Sequence, residues 1–200
     1  MTMPGRKKKT LVLNDPRALR ALAHPARQRL IDELYAGRVL TATEAAEMVG
    51  LTPSAVSHHL RALEKWGIAR RATGNADGRE RPWESTADSI TLRPKGGASA
   101  TAALHSVVRI KMDELTRRLD TFIESGSDPW TGAYRGLATG DLYLTEDETR
   151  EINDAVMELV DQFERKRTDR RPTGSRRATY AWLMMPLEPP SGSEPAKGKV

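Results

Sequence analysis

Apolar residues recur at helical spacing in residues 43–65, in two groups separated by Gly50. The first group, which includes Ala46 and Val49, predicts a short helix with one buried side. Glycine readily adopts the positive φ that a tight turn between helices requires, so Gly50 marks the turn. A second helix is predicted to begin at Thr52, whose hydroxyl can cap it, because the proline after it needs no amide hydrogen at the first helical position.

The second helix, residues 52–65, separates apolar from polar side chains. At about 100° per residue, Val56, Leu60 and Leu63 fall within one narrow arc, which is predicted to be buried. The opposite arc and its flank carry hydroxyl, imidazole and cationic groups, which are Ser54, His58, Arg61 and Lys65, with Ser57 on the flank. Such a stripe fits the major groove of DNA, where it would contact base edges and phosphates. It equally fits a polar face that is only solvated.

A β-hairpin is predicted directly after this helix, in residues 68–86. Residues 68–73 and 80–86 have the composition of strands, and residues 74–78 between them are rich in turn formers. The hairpin carries four arginines, which are Arg70, Arg71, Arg79 and Arg81. As a wing beside a DNA-reading helix, the hairpin would bring arginines to backbone phosphates or to an adjacent minor groove.

Beyond residues 93–97, which contain proline and glycine, a long helix is predicted over residues 98–125. Its apolar side repeats at spacings of four and three residues, close to a heptad, at Leu104, Val108, Met112, Leu115, Leu119 and Phe122. Such a ridge packs against another helix, either of the same chain or of a second copy. A protein that spans two DNA half-sites needs two copies, which favours a dimer contact.

A further helix is predicted after Thr145, which forms a capping box with Glu148. Its apolar side consists of Ile152, Val156, Leu159 and Phe163. Two short apolar runs, residues 142–144 and 178–185, predict strands that pair in a small antiparallel sheet.

The charge of the chain is unevenly divided. Residues 1–97 carry 17 Lys and Arg against 10 Asp and Glu, whereas residues 98–200 carry 15 against 17. The positive excess thus lies with the predicted helix pair and hairpin, where phosphate binding would use it. The basic run at residues 6–9 either adds nonspecific affinity for nucleic acid or is a solvated tail. No apolar run approaches the ~20 residues of a membrane span, and no secretory signal is present, so we expect a cytoplasmic protein with no membrane contact.

Four segments in order resemble the winged helix-turn-helix of the ArsR-type bacterial repressors. They are ALAHPAR at 21–27, TEAA at 43–46, SAVSHHLRAL at 54–63 and GI at 67–68. The resemblance implies a homodimer that sits on a twofold-symmetric operator in double-stranded DNA and blocks transcription until an effector releases it. It also implies that Ser54, Ser57, His58 and Arg61 face DNA.

The predicted fold is therefore mainly α with a small β component. It comprises a basic tail at residues 1–14, a winged helix-turn-helix domain at 15–93, a helical dimerisation and effector module at 98–186 and a disordered tail at 187–200.

The chain departs from the family in its lack of cysteine. Many members sense metals through cysteine thiolates, which this sequence cannot supply because it contains no cysteine. Of the four histidines, the adjacent pair His58 and His59 diverges by about 100° on a helix. We therefore expect neither a metal nor a cofactor. His59 is predicted to pack beside the buried face of its helix rather than to contact DNA.

An effector site, if the chain has one, is predicted in the C-terminal half. Aromatic residues there could line an apolar pocket for a small organic ligand, namely Trp130, Tyr134, Tyr143, Tyr180 and Trp182. The alternative is that these side chains form the core of the module itself.

Enzymatic function is disfavoured by the residue pattern. The sequence has no glycine-rich phosphate loop and no cysteine nucleophile, and Ser57 and His58 are adjacent on a helix and so point in different directions. The remaining alternative is a winged helix that binds proteins, because residues 98–164 carry 14 Asp and Glu against 6 Lys and Arg and could engage a basic partner.

Overall fold

The computed structural model describes residues 9–73, 81–125, 139–163, 173–185 and 187. The fold is mainly α with a small β component, as predicted. Its elements in chain order are β1 (Thr10–Leu13), α1 (Pro16–Leu22), α2 (Pro25–Tyr35), α3 (Ala42–Val49), α4 (Pro53–Lys65), β2 (Ala69–Arg71), β3 (Trp83–Ser85), β4 (Ser89–Leu92), α5 (Ala98–Glu124) and α6 (Glu146–Phe163).

The core lies where α4 packs against α1, α2, α3 and β2. Its largest fully buried side chains are Trp83, Leu19, Leu22, Leu30, Leu34, Leu60, Leu63, Ile68 and Val56. The apolar faces of α1, α2, α3 and α4 all contribute to this one cluster, so the orientation of α4 is fixed from several sides.

The predicted hairpin is present as an antiparallel pair of β2 and β3, with Arg70 opposite Glu84. Leu40, from the segment between α2 and α3, extends the pair by an isolated bridge to Trp83. The two residues exchange backbone hydrogen bonds of 2.9 and 2.7 Å. The hairpin is therefore tied to the helical core by backbone bonds as well as by the buried indole of Trp83.

Residues 10–13 fall within the predicted basic tail, and for them that prediction is wrong. They form β1, which pairs in parallel with β4. The carboxylate of Asp88 also accepts a 2.8 Å hydrogen bond from the backbone N–H of Lys9. Leu13 is buried while Val12 is exposed, the alternation expected of a strand with one covered face.

Helix α5 begins at the predicted boundary, but that boundary does not separate two cores. The small side chains of Ala100, Ala103 and Val107 are buried, and α5 packs closely on α1. Ala103 and Val107 belong to the same hydrophobic cluster as the helix-turn-helix residues. The first half of α5 is thus part of the first domain, and the predicted division between residues 15–93 and 98–186 is wrong there.

An ion cluster ties α5 to α2. The carboxylate of Asp32 accepts hydrogen bonds from Lys111 and, at 2.9 Å, from Arg118. The neighbouring carboxylate of Glu114 accepts hydrogen bonds from Arg117 at 2.7 Å and from Arg118 at 2.8 Å. Donation from Arg117 and Arg118 lowers the pKa of Glu114 from 4.5 to about 2, against the opposing effect of partial burial.

Replacing Glu114 by glutamine removes the charge that pairs with Arg117 and Arg118 and should lower the free energy of unfolding at neutral pH by about 1 kcal/mol. The loss is small because solvent screens these partly exposed guanidinium groups. A carboxylate whose pKa is lowered on folding stabilises above the unfolded pKa, and its contribution is lost as the pH falls through the folded pKa. The difference between the variant and the original chain should therefore shrink as the pH falls from 4.5 toward 2. Urea unfolding over this range is the measurement, with the exposed Asp113→Asn as control. A difference that is constant with pH would contradict this account.

The C-terminal half contains the second predicted helix but not the predicted sheet. Helix α6 has the predicted capping box, in which the Thr145 backbone N–H donates to the Glu148 carboxylate and the Glu148 N–H donates to the Thr145 hydroxyl. None of its residues is buried. Within the described residues, 142–144 and 178–185 form no strand, so that prediction is wrong. An apolar extended segment becomes a strand only where another segment satisfies its backbone groups.

The predicted disordered tail lies outside the described residues except for Leu187, which is exposed. None of the described helices is both long enough and apolar enough to cross a lipid bilayer.

Candidate nucleic-acid interface

The α3–turn–α4 unit is built by local hydrogen bonds that the residue types dictate. Thr41 caps α3 through its hydroxyl, which accepts the Glu44 N–H at 3.2 Å, and Glu44 in return accepts the Thr41 N–H at 2.7 Å. Gly50 has a φ of 69°, as its predicted place in the turn requires. Thr52 caps α4 by accepting the Ala55 N–H at 3.3 Å. These bonds fix where each helix begins and ends.

Helix α4 turns its predicted apolar arc into the core. Val56, Leu60 and Leu63 are at most 1% exposed. Since α4 is held along this arc, its opposite face must point outward. The prediction of the buried face is confirmed.

The outward face carries the predicted polar stripe. Ser54, His58, Arg61 and Lys65 are exposed, and Ser57, predicted on the flank, is half-buried. Within the described part of the chain, the Arg61 side chain has neither a hydrogen bond nor an ion pair. Its guanidinium is therefore available to an external acceptor, although contact of this stripe with DNA stays a prediction.

The arginines of the hairpin differ in what they contact. Arg70 pairs with Glu84 at 2.9 Å across the two strands. The guanidinium of Arg71 lies 3.9 Å from the centre of the Trp83 ring and donates to the backbone carbonyl of Arg81. These two side chains are engaged within the hairpin, which the sequence did not indicate. The Arg81 side chain is exposed, and Arg79 lies outside the described residues.

A histidine pair joins α4 to the start of α2. The ring of His59 lies 4.5 Å from the ring of His24, centre to centre. His24 caps α2, since its Nδ1 accepts the Ala26 N–H at 3.2 Å. His59 is half-buried, as its predicted packing role requires. Partial burial, followed by the charges of His24, Arg27 and His58, lowers the pKa of His59 below its usual value. The pairing with His24 was missed because 35 positions separate the two residues, and neither carries a sequence signal for it.

The second half of α5 presents an uncovered apolar strip. Val108, Met112, Leu119 and Phe122 are between 39% and 48% exposed. Leu104 packs partly against the core, and Leu115 is half-buried. These six residues, which we name the α5 seam, are those predicted from the heptad spacing. The seam lies beside the face that contacts α1, so α5 has one covered and one uncovered apolar side.

Three of the residues predicted to line an effector pocket lie in the described part of the chain. Tyr143 is fully exposed, and Tyr180 and Trp182 are 62% and 44% exposed. The pocket itself stays a prediction. Trp130 and Tyr134 lie outside the described residues. In the same described part of the chain, no group of three or more His, Asp or Glu is arranged to hold a metal ion.

Comparison with known proteins identifies the helix pair. A family model described as a helix-turn-helix domain matches residues 22–71, which span α2 to β2. The match agrees with the geometry of α3, the turn at Gly50 and α4, which together form a helix-turn-helix. No match was found among curated proteins.

Three solved structures illustrate the structural likenesses. The chain is similar to Rv0081 of M. tuberculosis, with 22% identity and a TM-score of 0.32 over 52% of this chain and 90% of that one. It is similar to YusO of Bacillus subtilis, with 18% identity and a TM-score of 0.32 over 73% and 83%. It is also similar to Lactococcus lactis ZitR, solved in complex with DNA, with 15% identity and a TM-score of 0.30 over 70% and 74%.

Proposed function

We propose that this chain is a sequence-specific DNA-binding transcriptional regulator, a dimeric cytoplasmic repressor of the ArsR type that binds a twofold-symmetric operator. The observation that carries the proposal is the orientation of α4. Its apolar arc is buried at Val56, Leu60 and Leu63, and its outward arc presents an exposed stripe. That stripe includes Arg61, which has no partner among the described residues.

The dimensions of α4 suit the major groove. Its 13 residues extend about 20 Å, and a helix fits a groove about 12 Å wide. The outward side chains combine hydroxyl groups, an imidazole and two cations, which together can contact phosphates and base edges. Among them the guanidinium of Arg61 has the rigid fork of donors that matches the two acceptors of one guanine edge. We therefore assign base reading to Arg61 and supporting contacts to Ser54, Ser57, His58 and Lys65.

The wing has a narrower role than the sequence indicated. Arg70 and Arg71 are held within the hairpin, by Glu84 and by the Trp83 ring respectively. Their contacts stiffen the hairpin beside α4. Phosphate contact is accordingly assigned to the exposed Arg81 and, as a prediction from sequence alone, to Arg79.

Dimerisation is assigned to the α5 seam. Four of its apolar side chains are at least 39% exposed along one side of a 27-residue helix. Exposed apolar side chains are stabilised when a matching apolar surface covers them. In a dimer with twofold symmetry, the α5 seam of one copy would cover the α5 seam of the other. Two copies joined in this way would present two α4 helices to the two half-sites of an operator.

A second candidate function is a protein-binding winged helix. The observation that favours it is α6, which carries seven acidic residues and one basic residue and has no buried side chain. Such a helix could engage a basic partner. This alternative requires neither a free Arg61 nor a steep dependence of affinity on salt.

Replacing Arg61 by alanine should weaken binding to the preferred duplex by about 1–3 kcal/mol and relax the base preference at one position. Replacing Arg81 by alanine should weaken binding to all sequences similarly and reduce the salt dependence, because a phosphate contact carries no sequence information. Binding isotherms on the preferred site and on single-base variants measure both effects. If Arg61→Ala weakens all these duplexes equally, base reading by Arg61 is refuted and phosphate contact remains.

Selection of bound duplexes from a random library, at near-physiological salt, tests the proposed function as a whole. We expect enrichment of a twofold-repeated site with half-sites about one helical turn apart. Absence of enrichment, together with DNA binding that is insensitive to Arg61→Ala and to salt, would favour the protein-binding alternative.

A further inference from the structure

We propose that the contact between His24 and His59 is a proton-sensitive latch, which holds α4 against the start of α2 at neutral pH and loosens in mild acid. Its effect on DNA rests on the proposed function, because α4 is the helix assigned to the major groove. Its effect on how α4 packs within the fold does not depend on that function.

The first half of the latch is the cap of α2. The Nδ1 atom of His24 accepts the Ala26 N–H, so a neutral His24 carries its proton on Nε2. An imidazolium has no lone pair to offer. Protonation of His24 would therefore remove this cap from α2 and place a cation at the positive end of the helix dipole.

The second half is the environment of His59. Its Nδ1 atom is buried and has no hydrogen-bond partner among the described residues, and the same is true of Nε of Arg27. A protonated His59 would donate from both ring nitrogens, one of them into a space with no acceptor. The group that the ring meets across the interface is another imidazole, and a permanent guanidinium lies close by.

The charges around His59 all oppose a further positive charge. Within the described part of the chain, the titratable and charged groups that act on it are His24 and Arg27 from the start of α2 and His58 from its own helix. Arg27 is itself held in place, since its Nη1 donates to the backbone carbonyl of Ala21 at 2.6 Å. The folded chain thus favours neutral His59, in agreement with its lowered pKa.

The direction of the pH effect follows from the linkage between the protonation of His59 and the stability of the fold. A base whose pKa is lowered on folding is protonated more readily in the unfolded chain. The stabilisation that the neutral ring provides is complete above the usual value of 6.5 and is lost as the pH falls from there toward the folded pKa. Acid should therefore weaken the packing of α4 against the start of α2. The packing of α5 on α1 should persist, since the buried side chains of those two helices include no histidine.

The test compares about pH 7.5 with about pH 5.5, the range in which histidine titrates. Two quantities are measured at each pH and at fixed salt, namely the urea midpoint of unfolding and the affinity for the duplex enriched at the higher pH. Two variants break the latch. His24→Asn retains an N-cap oxygen that does not titrate, and His59→Gln removes the half-buried imidazole. The matched control is His105→Gln, at an exposed histidine of α5 that lies outside the latch, the outward stripe of α4 and the α5 seam. His58 is unchanged in every variant.

We expect the urea midpoint of the original chain to fall in acid and its DNA affinity to fall about tenfold, within the usual range of coupling between two sites of a protein. Both latch variants should show flatter profiles, and His105→Gln should keep the original profile. If His59→Gln does not fold, the pH profile of His24→Asn alone tests the latch, since this substitution leaves the residues of α4 unchanged.

Two results would overturn the latch, namely a urea midpoint of the original chain that is the same at both pH values, or latch variants that keep its full slope. A pH-dependent midpoint with a pH-independent affinity would overturn its link to DNA. If the folded original chain binds no duplex at the higher pH, the proposed function fails and the latch does not. The urea midpoints of unfolding at the two pH values then test the latch by themselves.

Discussion

Replacing Trp83 by alanine should lower the free energy of unfolding by about 3–5 kcal/mol, the usual cost of removing a large aromatic side chain from a core. Trp83 is 0% exposed and is the largest fully buried side chain among the described residues. It also joins three parts of the fold, since its backbone pairs with Leu40 and its ring contacts Arg71. A loss of this size is a large fraction of the ~5–15 kcal/mol that stabilises a typical domain.

The measurement is urea unfolding followed by circular dichroism at one fixed protein concentration, because dimerisation would contribute to apparent stability. Trp83→Phe is the informative companion variant. The Nε1 atom of Trp83 is buried without a partner in the described part of the chain, so phenylalanine retains an apolar ring and removes an unsatisfied donor. We expect Trp83→Phe to lose less than half as much stability as Trp83→Ala. Tyr143→Ala, at a fully exposed aromatic, should change stability by less than about 0.5 kcal/mol. Equal losses at positions 83 and 143 would refute the role of Trp83 as the central side chain of the core.

Replacing both Met112 and Leu119 by glutamate should convert the proposed dimer to a monomer and weaken binding to a two-half-site operator by about 10²–10⁴-fold, because the two half-sites would then be bound independently. Both side chains lie on the α5 seam and are 42% and 48% exposed in the single chain. Glutamate is a good helix former, so α5 itself should persist. The new carboxylates would face each other across the twofold axis in an apolar contact, where burial of charge is strongly unfavourable.

Sedimentation velocity gives the oligomeric state, and binding to operators with one and two half-sites gives the affinity. The control is Ser106→Glu, at an exposed position of the same helix outside the seam. It should leave both quantities unchanged. The monomeric variant should bind a single half-site as well as the original chain does. A variant that remains dimeric would show that the seam is not the interface, and the C-terminal segments would then be tested in the same way.

The sequence was sufficient wherever a structural feature depends on residues three or four positions apart. The turn at Gly50, the cap at Thr52 and the capping box at Thr145 are local hydrogen-bonding arrangements, and the chain shows each where it was predicted. The buried arc of α4 is a consequence of the helical period alone. The outward stripe, on which the proposed function rests, was therefore predictable once that arc was known.

Features that join distant segments were not predictable in this way. Lys9 and Asp88 are 79 positions apart, and nothing in the residues preceding α1 indicated a strand, because a strand is stabilised by a partner that the local sequence does not specify. The apolar run at residues 178–185 shows the converse, since its composition favours a strand that it does not form.

What the sequence by itself determined is that α3, α4, α5 and α6 are helices and that α4 buries the arc of Val56, Leu60 and Leu63, since these features depend on local periodicity and on caps. Only the tertiary structure decided which faces meet. It buried Ala103 of α5 in the core and left the α5 seam open, engaged Arg71 on Trp83 and placed His59 against His24. Each of these outcomes depends on how whole elements pack, because an amphipathic helix specifies that one side is buried but not what buries it.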